Sequence, residues 1–353
     1  MIIGICNGRR IVASKKLKRQ NYFCPICGEP VVLRAGKVKM AHFAHRKNTN
    51  CASSEGETQE HLLGKKQLYH WTAKKGLRPR YEVYLSEIQQ RPDILLSKED
   101  GTQIALEFQC SPLSIERLMQ RNQGYKQLHI QVWWILGAPY LKQKLSATKR
   151  AQFMQLVHGQ LVILYWSTAD NRLVVWQPLE NLTWNVSEAR LNNVQLISQT
   201  RALQQQVMRA DAQIQEIQQR CYLQRHSVVE IPLVCHAWNK AVLPLKVSPI
   251  IWRTTLLLKL ECYQIGEQWH VQEWLELLVA ESEEQWLQFA CLTPEQEEKL
   301  RLSLSRTYTR RLLEARIIRY HQGIVTLCRR AEWFTSYEQK INYLSRCTKK
   351  SNH

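Results

Sequence analysis

Hydrophobic and polar residues follow different periods in successive parts of the chain, and each change of period marks a predicted structural segment. Residues 1–51 contain short alternating runs interrupted by breakers such as Pro25 and Gly28, a pattern typical of a small β-rich module. A polar stretch at 52–58 resembles a linker, and a helical pattern follows over residues 57–75. The amino-terminal part is therefore predicted to be a β module that leads into a helix.

Beyond Pro79 the helical period gives way to short runs typical of strands, and Asp100-Gly101 is a tight-turn dipeptide between two of them. A second helical pattern follows, and then an apolar run with Trp133 and Trp134 that is typical of a strand buried on both faces. The predicted order of elements is αβββαβ. The ranges are 80–85, 92–96 and 102–109 for the three strands, 111–128 for the helix and 129–136 for the last strand.

The carboxyl-terminal half has longer helical patterns, and they match no architecture that can be assigned from the sequence. Residues 161–166 and 172–177 flank a polar turn and predict a hairpin. A glutamine-rich stretch over 187–225 contains neither glycine nor proline and predicts one long helix. Further helices are predicted over 272–288 and 294–327.

These patterns predict an α+β or α/β protein built from three parts. Residues 1–55 form the small β-rich module, residues 56–180 contain the αβββαβ core, and residues 181–353 form a mainly helical region with a basic tail. At 353 residues, the chain is long enough for each part to bury a core of its own.

The composition adds a strong positive charge to this picture. The formal net charge is +19, a surplus that favours binding of a polyanion, with nucleic acid as the leading candidate. The expected partner is DNA, single-stranded or branched, although the charge itself does not distinguish these forms from duplex DNA. Residues 1–50 hold eleven lysines and arginines against one acidic residue, and residues 301–353 hold twelve against three. Residues 261–298 instead hold ten glutamates and no lysine or arginine. The basic tail taken alone also fits a merely solvated face.

The composition also indicates the compartment. The apolar runs are all shorter than the roughly eighteen residues of a membrane span, and residues 1–10 turn basic without the features of a signal peptide. Most of the eleven cysteines stand alone in apolar surroundings, which suits reduced thiols rather than a disulfide framework. A cytoplasmic location is expected.

One group of cysteines and histidines has the spacing of metal ligands. Cys24 and Cys27 are separated by two residues, and His42 and His45 follow after a gap. Two thiolates and two imidazoles match a tetrahedral zinc site, with a structural role because four protein ligands close it. The spacing of the histidines is tighter than in the usual zinc finger, so Cys51 is an alternative to one of them.

A second group is predicted at the ends of two neighbouring strands. Asp93 opens one strand, and Glu107 and Gln109 close the next strand beyond the Asp100-Gly101 turn. Antiparallel pairing through that turn brings Asp93 and Glu107 to the same end of the sheet, and the strand period puts Glu107 and Gln109 on one face. Two carboxylates in this arrangement predict a site for Mg²⁺ or Mn²⁺.

An aspartate followed by Glu-x-Lys on the next strand, within an αβββαβ core, is the signature of the PD-(D/E)XK nuclease superfamily. The sequence Pro92-Asp93 with Glu107-x-Gln109 resembles it, with glutamine in the lysine position. This resemblance implies a restriction-endonuclease-like core in which Glu60 is a further acidic ligand. It also implies that the neighbouring His61 positions water or phosphate. Arg121 and Tyr125 lie four residues apart, hence on one helix face, where they are expected to contact nucleic acid.

The chain resembles the CoiA-like competence proteins in particular. The resemblance rests on the early cysteine and histidine motifs, on Glu60-His61 with Lys65, on Arg91-Pro92-Asp93-Ile94, on Glu107-Phe108-Gln109-Cys110-Ser111, on Arg121 with Tyr125, and on Trp134-Ile135-Leu136. It covers residues 20–140 and implies a cytoplasmic protein made during natural competence in Gram-positive bacteria. Such a protein acts on imported DNA and promotes its recombination into the chromosome.

The predicted function is therefore that of a Mg²⁺- or Mn²⁺-dependent deoxyribonuclease with a structural Zn²⁺ site. In this hypothesis Asp93 and Glu107 bind the ion, Glu60 assists, and Gln109 orients the attacking water. The alternative is a DNA-binding recombination accessory that keeps the fold as a platform and has lost cleavage, because glutamine lacks the charge of lysine. Recombination proteins are expected partners, and the sequence leaves the oligomeric state open.

Overall fold

The described part of the chain divides into two structural units. In the computed structural model, the described residues are 1–18, 20–36, 40–46, 51, 57–177, 191–236 and 244–350. The first unit comprises Met1–Gln177 with Phe289–Cys291, and the second comprises Pro178–Gln288 with Leu292–His353. Most of the linker predicted at 52–58, and the first residues of the long helix predicted over 187–225, lie outside the described residues.

The first unit begins with a five-stranded antiparallel sheet in the order β2-β1-β3-β4-β5. Its strands are β1 (Ile3–Cys6), β2 (Arg9–Val12), β3 (Tyr22–Phe23), β4 (Pro30–Arg34) and β5 (His42–His45). Apolar side chains on one face, among them Tyr22, Val31 and Phe43, are buried together with Cys24. The small β-rich module predicted from the alternating pattern is confirmed.

The first unit continues in the predicted order of helix, three strands, helix and strand. The elements are α1 (Gln59–Lys74), β6 (Arg78–Tyr81), β7 (Ile94–Ser97), β8 (Gln103–Gln109), α2 (Ile115–Gln127) and β9 (Gln131–Leu136). β6, β7 and β8 pair antiparallel, and β9 lies parallel to β8. The first strand ends at Tyr81, before the end of the predicted range 80–85, because Glu82 has a positive φ of 49°.

The sheet is covered by α1 on one face and by α2 on the other. Leu62 and Leu68 of α1 are buried with Leu106 and Phe108, whereas Tyr125 of α2 is buried in a separate cluster on the opposite face. On α1, Gly64 is required by packing, because a Cβ there would collide with the ring of Phe108. This close approach brings the start of α1 to the end of β8.

Two short helices and three further strands complete the first unit. They are α3 (Ala138–Leu141), α4 (Ala147–Phe153), β10 (Gln155–Val157), β11 (Gln160–Ser167) and β12 (Arg172–Trp176). The resulting seven-stranded sheet has the order β10-β11-β9-β8-β7-β6, and β12 pairs with β11. The hairpin predicted around residues 161–177 is confirmed by the antiparallel pairing of β11 with β12.

The second unit is mainly helical and also contains a three-stranded sheet in the order β13-β15-β14. Its helices are α5 (Asn193–Met208), α6 (Ala212–Leu223), α7 (Pro249–Leu260), α8 (Val271–Ala280), α9 (Pro294–Glu314) and α10 (Tyr337–Lys350). Its strands are β13 (Gln268–His270), β14 (Ile318–His321) and β15 (Ile324–Leu327), and short 3₁₀ turns occur at Val228–Glu230, Leu233–Cys235 and Glu283–Gln285.

Two predictions for this half are wrong, and the helix predicted over 272–288 ends early, at Ala280. The expected single helix over 187–225 is broken, because Ala210 has a positive φ of 54° and the side chain of Asp211 caps a new helix by accepting from the Gln213 N–H. The helix predicted over 294–327 ends at Glu314 and is followed by β14 and β15. Gln322 and Gly323, both with positive φ, form the turn of that hairpin.

A single large core fills the second unit. It includes Trp252, Trp274 and Tyr308, each fully buried, together with Val325 and Leu327 of the hairpin strand β15. The helices and the small sheet therefore fold around shared apolar side chains. Across the described part of the whole chain, every helix is too short or too polar to cross a membrane.

Candidate active site and metal centre

Asp93 and Glu107 lie side by side at the end of the β7–β8 pair. Ile94 and Leu106 form the last pair of the antiparallel ladder, so Asp93, just before β7, and Glu107, next after Leu106 on β8, lie at the same end of the sheet. Both residues line one cleft of about 430 Å³, together with Glu57, His61 and other residues of the first unit.

The Asp93 carboxylate is held in its ionised form by its neighbours. Its Oδ2 accepts the Phe108 N–H at 2.9 Å and contacts His61 Nε2 at 3.1 Å, while Oδ1 lies 3.4 Å from Lys65 Nζ. Burial alone would raise the pKa of Asp93, but the charges of His61 and Lys65 outweigh it and keep the pKa well below its usual range. Conversely, burial would lower the pKa of His61, but Asp93 raises it.

Lys65 is the centre of a buried ionic network behind Asp93. Its ammonium group is fully buried and lies 2.5 Å from Glu57 Oε1 and 2.6 Å from Glu82 Oε1. Burial would raise the pKa of Glu82, but Lys65 and Arg91 hold it at about 2. A buried lysine surrounded by three carboxylates is fully compensated, which is the condition under which such a charge is tolerated.

The same network reaches the amino-terminal sheet. The carboxylate of Glu82 accepts the backbone N–H groups of Ile2 at 2.9 Å and Ile3 at 3.1 Å. Arg10 also donates to the carbonyl oxygens of Tyr81 at 2.8 Å and of Glu82 at 3.1 Å. The start of the chain is therefore bonded to the residue that pairs with Lys65, and through Lys65 to Asp93.

Glu107 has a different environment from that of Asp93. It is almost fully buried, and its carboxylate accepts hydrogen bonds from Arg121 and Tyr125 of α2. Burial raises the pKa of Glu107 and outweighs the opposing charge of Arg121. Tyr125 is fully buried, so it positions Glu107 and does not meet the expectation that it contacts nucleic acid directly. Arg121 lines the cleft.

Of the other two predicted residues, Gln109 lines the cleft and Glu60 does not. Gln109 lines the cleft, and its amide donates to the Ser111 carbonyl at 2.6 Å. Glu60 instead accepts from Thr168 Oγ1 at 2.9 Å and from the Ala138 N–H at 3.3 Å, and it is not among the described residues that line the cleft. Because α1 turns by about 100° per residue, Glu60 cannot face the same way as His61.

Glu57 takes the position near Asp93 that was expected of Glu60. Ligand atoms of Glu57, His61 and Asp93 all lie within 4.8 Å of one another, and these three residues form a group able to hold a metal ion. The sequence reasoning missed Glu57, Glu82 and the role of Lys65. A signal was present, because Lys65 interrupts the buried stripe of Leu62, Leu68 and Thr72 on α1.

A second group of possible metal ligands lies in the amino-terminal sheet. It consists of Cys24, Cys27, His45 and Cys51, whose ligand atoms all lie within 4.8 Å of one another. Cys24 Sγ is 3.9 Å from Cys51 Sγ, and Cys27 Sγ is 3.9 Å from His45 Nε2. Two sulfurs bound tetrahedrally to one zinc are about 3.8 Å apart, given Zn–S bonds of about 2.3 Å. The donor set therefore fits a structural zinc ion.

His42 is not a member of this group, which corrects the predicted ligand set. His42 and His45 lie three residues apart on β5, and side chains at that spacing point to opposite faces of a strand. His45 shares its face with the buried Phe43, whereas His42 Nδ1 lies 3.0 Å from the Met40 carbonyl oxygen. Cys51, the alternative considered from the sequence, occupies the fourth position.

Two regions of the chain match models of one protein family. Residues 7–54 match the N-terminal domain of competence protein CoiA, and residues 57–219 match its nuclease-like domain. A competence protein CoiA of Bacillus subtilis (strain 168) is 38% identical over 135 residues, which cover 38% of this chain and 36% of that protein. No solved structure matches the chain. The cysteine and histidine group lies within the first match, and Asp93 and Glu107 lie within the second.

Proposed function

The chain belongs to the CoiA family of competence proteins, and we propose that it is a metal-dependent DNA nuclease of the PD-(D/E)XK type. Its substrate is DNA imported into the cytoplasm during natural transformation, and its action promotes recombination of that DNA. The observation that carries the proposal is that Asp93 and Glu107 lie at the same end of the β7–β8 pair and line one cleft of about 430 Å³. The αβββαβ order of the surrounding elements supports a restriction-endonuclease-like core.

In this proposal, Asp93 and Glu107 hold Mg²⁺ or Mn²⁺. The bound ion supplies activation of a water molecule and offsets the charge that develops on the scissile phosphate. Asp93 suits this role because its pKa is lowered, so that the carboxylate is ionised and can bind a cation. Glu57 and His61 are close enough to Asp93 to add ligands on the other side.

Further residues of the cleft have proposed roles towards DNA. Gln109 orients the attacking water through its amide, and Arg121 offers a guanidinium group that can turn from Glu107 to a phosphate. Lys65 is fully buried and cannot touch the substrate, so its role is to keep Asp93 ionised and in place. Zn²⁺ bound by Cys24, Cys27, His45 and Cys51 would stabilise the amino-terminal sheet.

The test is a cleavage assay on single-stranded, duplex and branched DNA with Mg²⁺ or Mn²⁺. We expect Asp93→Asn and Glu107→Gln to lower the cleavage rate by on the order of a hundredfold or more, because a neutral amide binds a divalent cation poorly. Glu99→Gln is the matched control, since Glu99 is an exposed carboxylate beyond the end of β7, in the β7–β8 turn. Its rate should equal that of the wild type.

A second function is favoured by the surroundings of Glu107. Its carboxylate is already engaged by Arg121 and Tyr125, and the third motif position holds Gln109 rather than lysine. These features fit a recombination accessory that binds DNA without cutting it. If the wild-type protein binds all three DNA forms and cuts none with either metal, this second function replaces the first.

A further inference from the structure

The order of helices and strands in the second unit resembles that of one class of DNA-binding fold. The chain runs through α7, β13, α8, α9, β14 and β15, and the three strands form a sheet in the order β13-β15-β14. This order resembles that of a winged helix-turn-helix, in which the second helix of a pair reads DNA and a hairpin follows it directly, with a longer connection here, residues 281–293, between the two helices. We infer that α9 and the β14–β15 hairpin form a surface that binds duplex DNA.

The helix pair and the hairpin are held together by one core. Trp274 of α8 and Tyr308 of α9 are fully buried in the same cluster as Val325 and Leu327 of β15. The indole N–H of Trp274 also donates to Thr309 Oγ1 of α9 at 2.9 Å. The surface presented by α9 and the hairpin is therefore built on a packed scaffold, as a recognition surface requires.

Two arginines are exposed on the same side of α9. Arg306 and Arg310 are exposed and lie four residues apart, so they share one face of the helix. Neither has an ion pair with any residue in the described part of the chain. By contrast, Arg301 pairs with Glu283 at 3.2 Å, and Arg311 pairs with Glu314 at the same distance. Arg306 and Arg310 thus place two unpaired positive charges on one face of α9.

The hairpin that follows α9 continues this pattern. Arg316, just beyond α9, and Arg319 of β14 are exposed and have no ion pair within the described residues. Tyr320 is 52% exposed near the hairpin turn, beside the exposed His321. Arginine side chains on a projecting hairpin suit phosphates or the minor groove, and tyrosine hydroxyls also bond phosphate oxygens.

The chemistry of this surface favours duplex DNA over other partners. Unpaired arginines favour a polyanion, and an exposed helix face fits the major groove of B-form DNA, which is about 12 Å wide. The deep, narrow major groove of A-form RNA does not admit a helix, and a single strand offers no groove. The inference goes beyond the proposed nuclease, because it concerns residues of the second unit that play no part in the cleft.

The experiment measures binding of the full chain to a short fluorescent duplex by anisotropy, over a range of salt and without added divalent metal. We expect Arg306→Gln with Arg310→Gln to weaken binding roughly tenfold or more and to reduce the salt slope by about two, because each arginine neutralises one phosphate and accounts for about one unit of the slope. A second double variant, Arg316→Gln with Arg319→Gln, should weaken binding in the same direction.

The matched control is Arg201→Gln with Arg209→Gln, which removes the same charge from an exposed position on α5 and from the exposed residue that caps its carboxyl end, in the same unit. The inference is overturned if the control weakens binding as much as the α9 variant does, or if neither the α9 variant nor the hairpin variant weakens binding. It is also overturned if duplex RNA or single-stranded DNA binds better than duplex DNA. Cleavage is scored separately. If Asp93→Asn loses cleavage but still binds duplex DNA, the result supports the nuclease proposal and leaves this inference unchanged. If the α9 variant binds as well as the wild type, the result contradicts this inference and leaves the nuclease proposal unchanged.

Discussion

Among the described residues, each structural unit fully buries one lysine, Lys65 in the first and Lys340 in the second. Lys65 lies within 3.4 Å of three carboxylates, those of Glu57, Glu82 and Asp93. Lys340 instead donates to two backbone carbonyl oxygens, those of Val229 at 3.1 Å and Ile231 at 2.8 Å. The two side chains are equally hidden from water, but only one of them has charged partners.

This difference shows in the pKa values of the two lysines. Burial would lower the pKa of Lys65, but the three carboxylates outweigh it and raise the pKa above its ordinary value. For Lys340 burial prevails and lowers the pKa to about 7. A buried charge therefore marks an electrostatic site only when its neighbours compensate it. On that criterion Lys65 belongs to the ionic network of the candidate site, and Lys340 holds α10 against a short turn.

Removing the charge of Lys65 is the strongest test of the difference between the two lysines. We expect Lys65→Met to lower the free energy of unfolding by about 3–5 kcal/mol, because it leaves three carboxylates buried without their counter-ion. Urea unfolding measures the change. Lys66→Met is the control, since Lys66 is exposed on the same helix and its replacement should change the free energy by less than about 0.5 kcal/mol. If Lys65→Met lowers the free energy of unfolding by less than about 1 kcal/mol, the three carboxylates do not depend on Lys65 for their stability.

Replacing Lys340 should have a smaller effect. Lys340→Met leaves the carbonyl oxygens of Val229 and Ile231 without their donor, which we expect to cost about 1–3 kcal/mol of unfolding free energy. No buried carboxylate is stranded, so the loss should stay below that of Lys65→Met. Arg346→Met, an exposed position on α10, is the matched control. If Lys340→Met is the more destabilising of the two lysine variants, the distinction between the two sites is lost.

The fold of the first unit could be predicted largely from local signals. Each change of period in the sequence corresponds to a change of element, and Asp100-Gly101 fixes the turn between β7 and β8. The second unit was harder, because its boundaries depend on single backbone conformations. The helix break at Ala210 and the turn at Gln322-Gly323 leave the apolar spacing almost undisturbed, so periodicity alone carries no sign of them.

The candidate site divides in the same way. The proximity of Asp93 and Glu107 follows from one tight turn, so it could be predicted from adjacent sequence. The ionic network could not, because Glu57, Lys65 and Glu82 come together only when α1 packs on the sheet. The group of cysteines with His45 is an intermediate case. The cysteine pair was visible in the sequence, but the exclusion of His42 depends on β5 being a strand.

The smallest expected effect, and the most selective, is a dependence of stability on pH. The pKa of Lys340 is about 7 in the folded protein, below its ordinary value of 10.5, so the unfolded chain binds more protons between these values. The contribution of Lys340 to the free energy of unfolding should therefore rise as the pH increases from 7 to 9, by on the order of 1 kcal/mol per pH unit.

Lys65 adds nothing in that window, because its pKa is raised and its contribution is lost only above its ordinary value of 10.5. His61 has a raised pKa and acts in the opposite direction, since its contribution falls as the pH rises through its folded value. The quantity to measure is therefore the difference between the wild type and Lys340→Met, obtained by calorimetry at pH 7, 8 and 9. A steady increase of this difference with pH is expected. A constant difference would show that Lys340 stays charged in the folded protein, and that two carbonyl oxygens compensate a buried ammonium group as well as three carboxylates do.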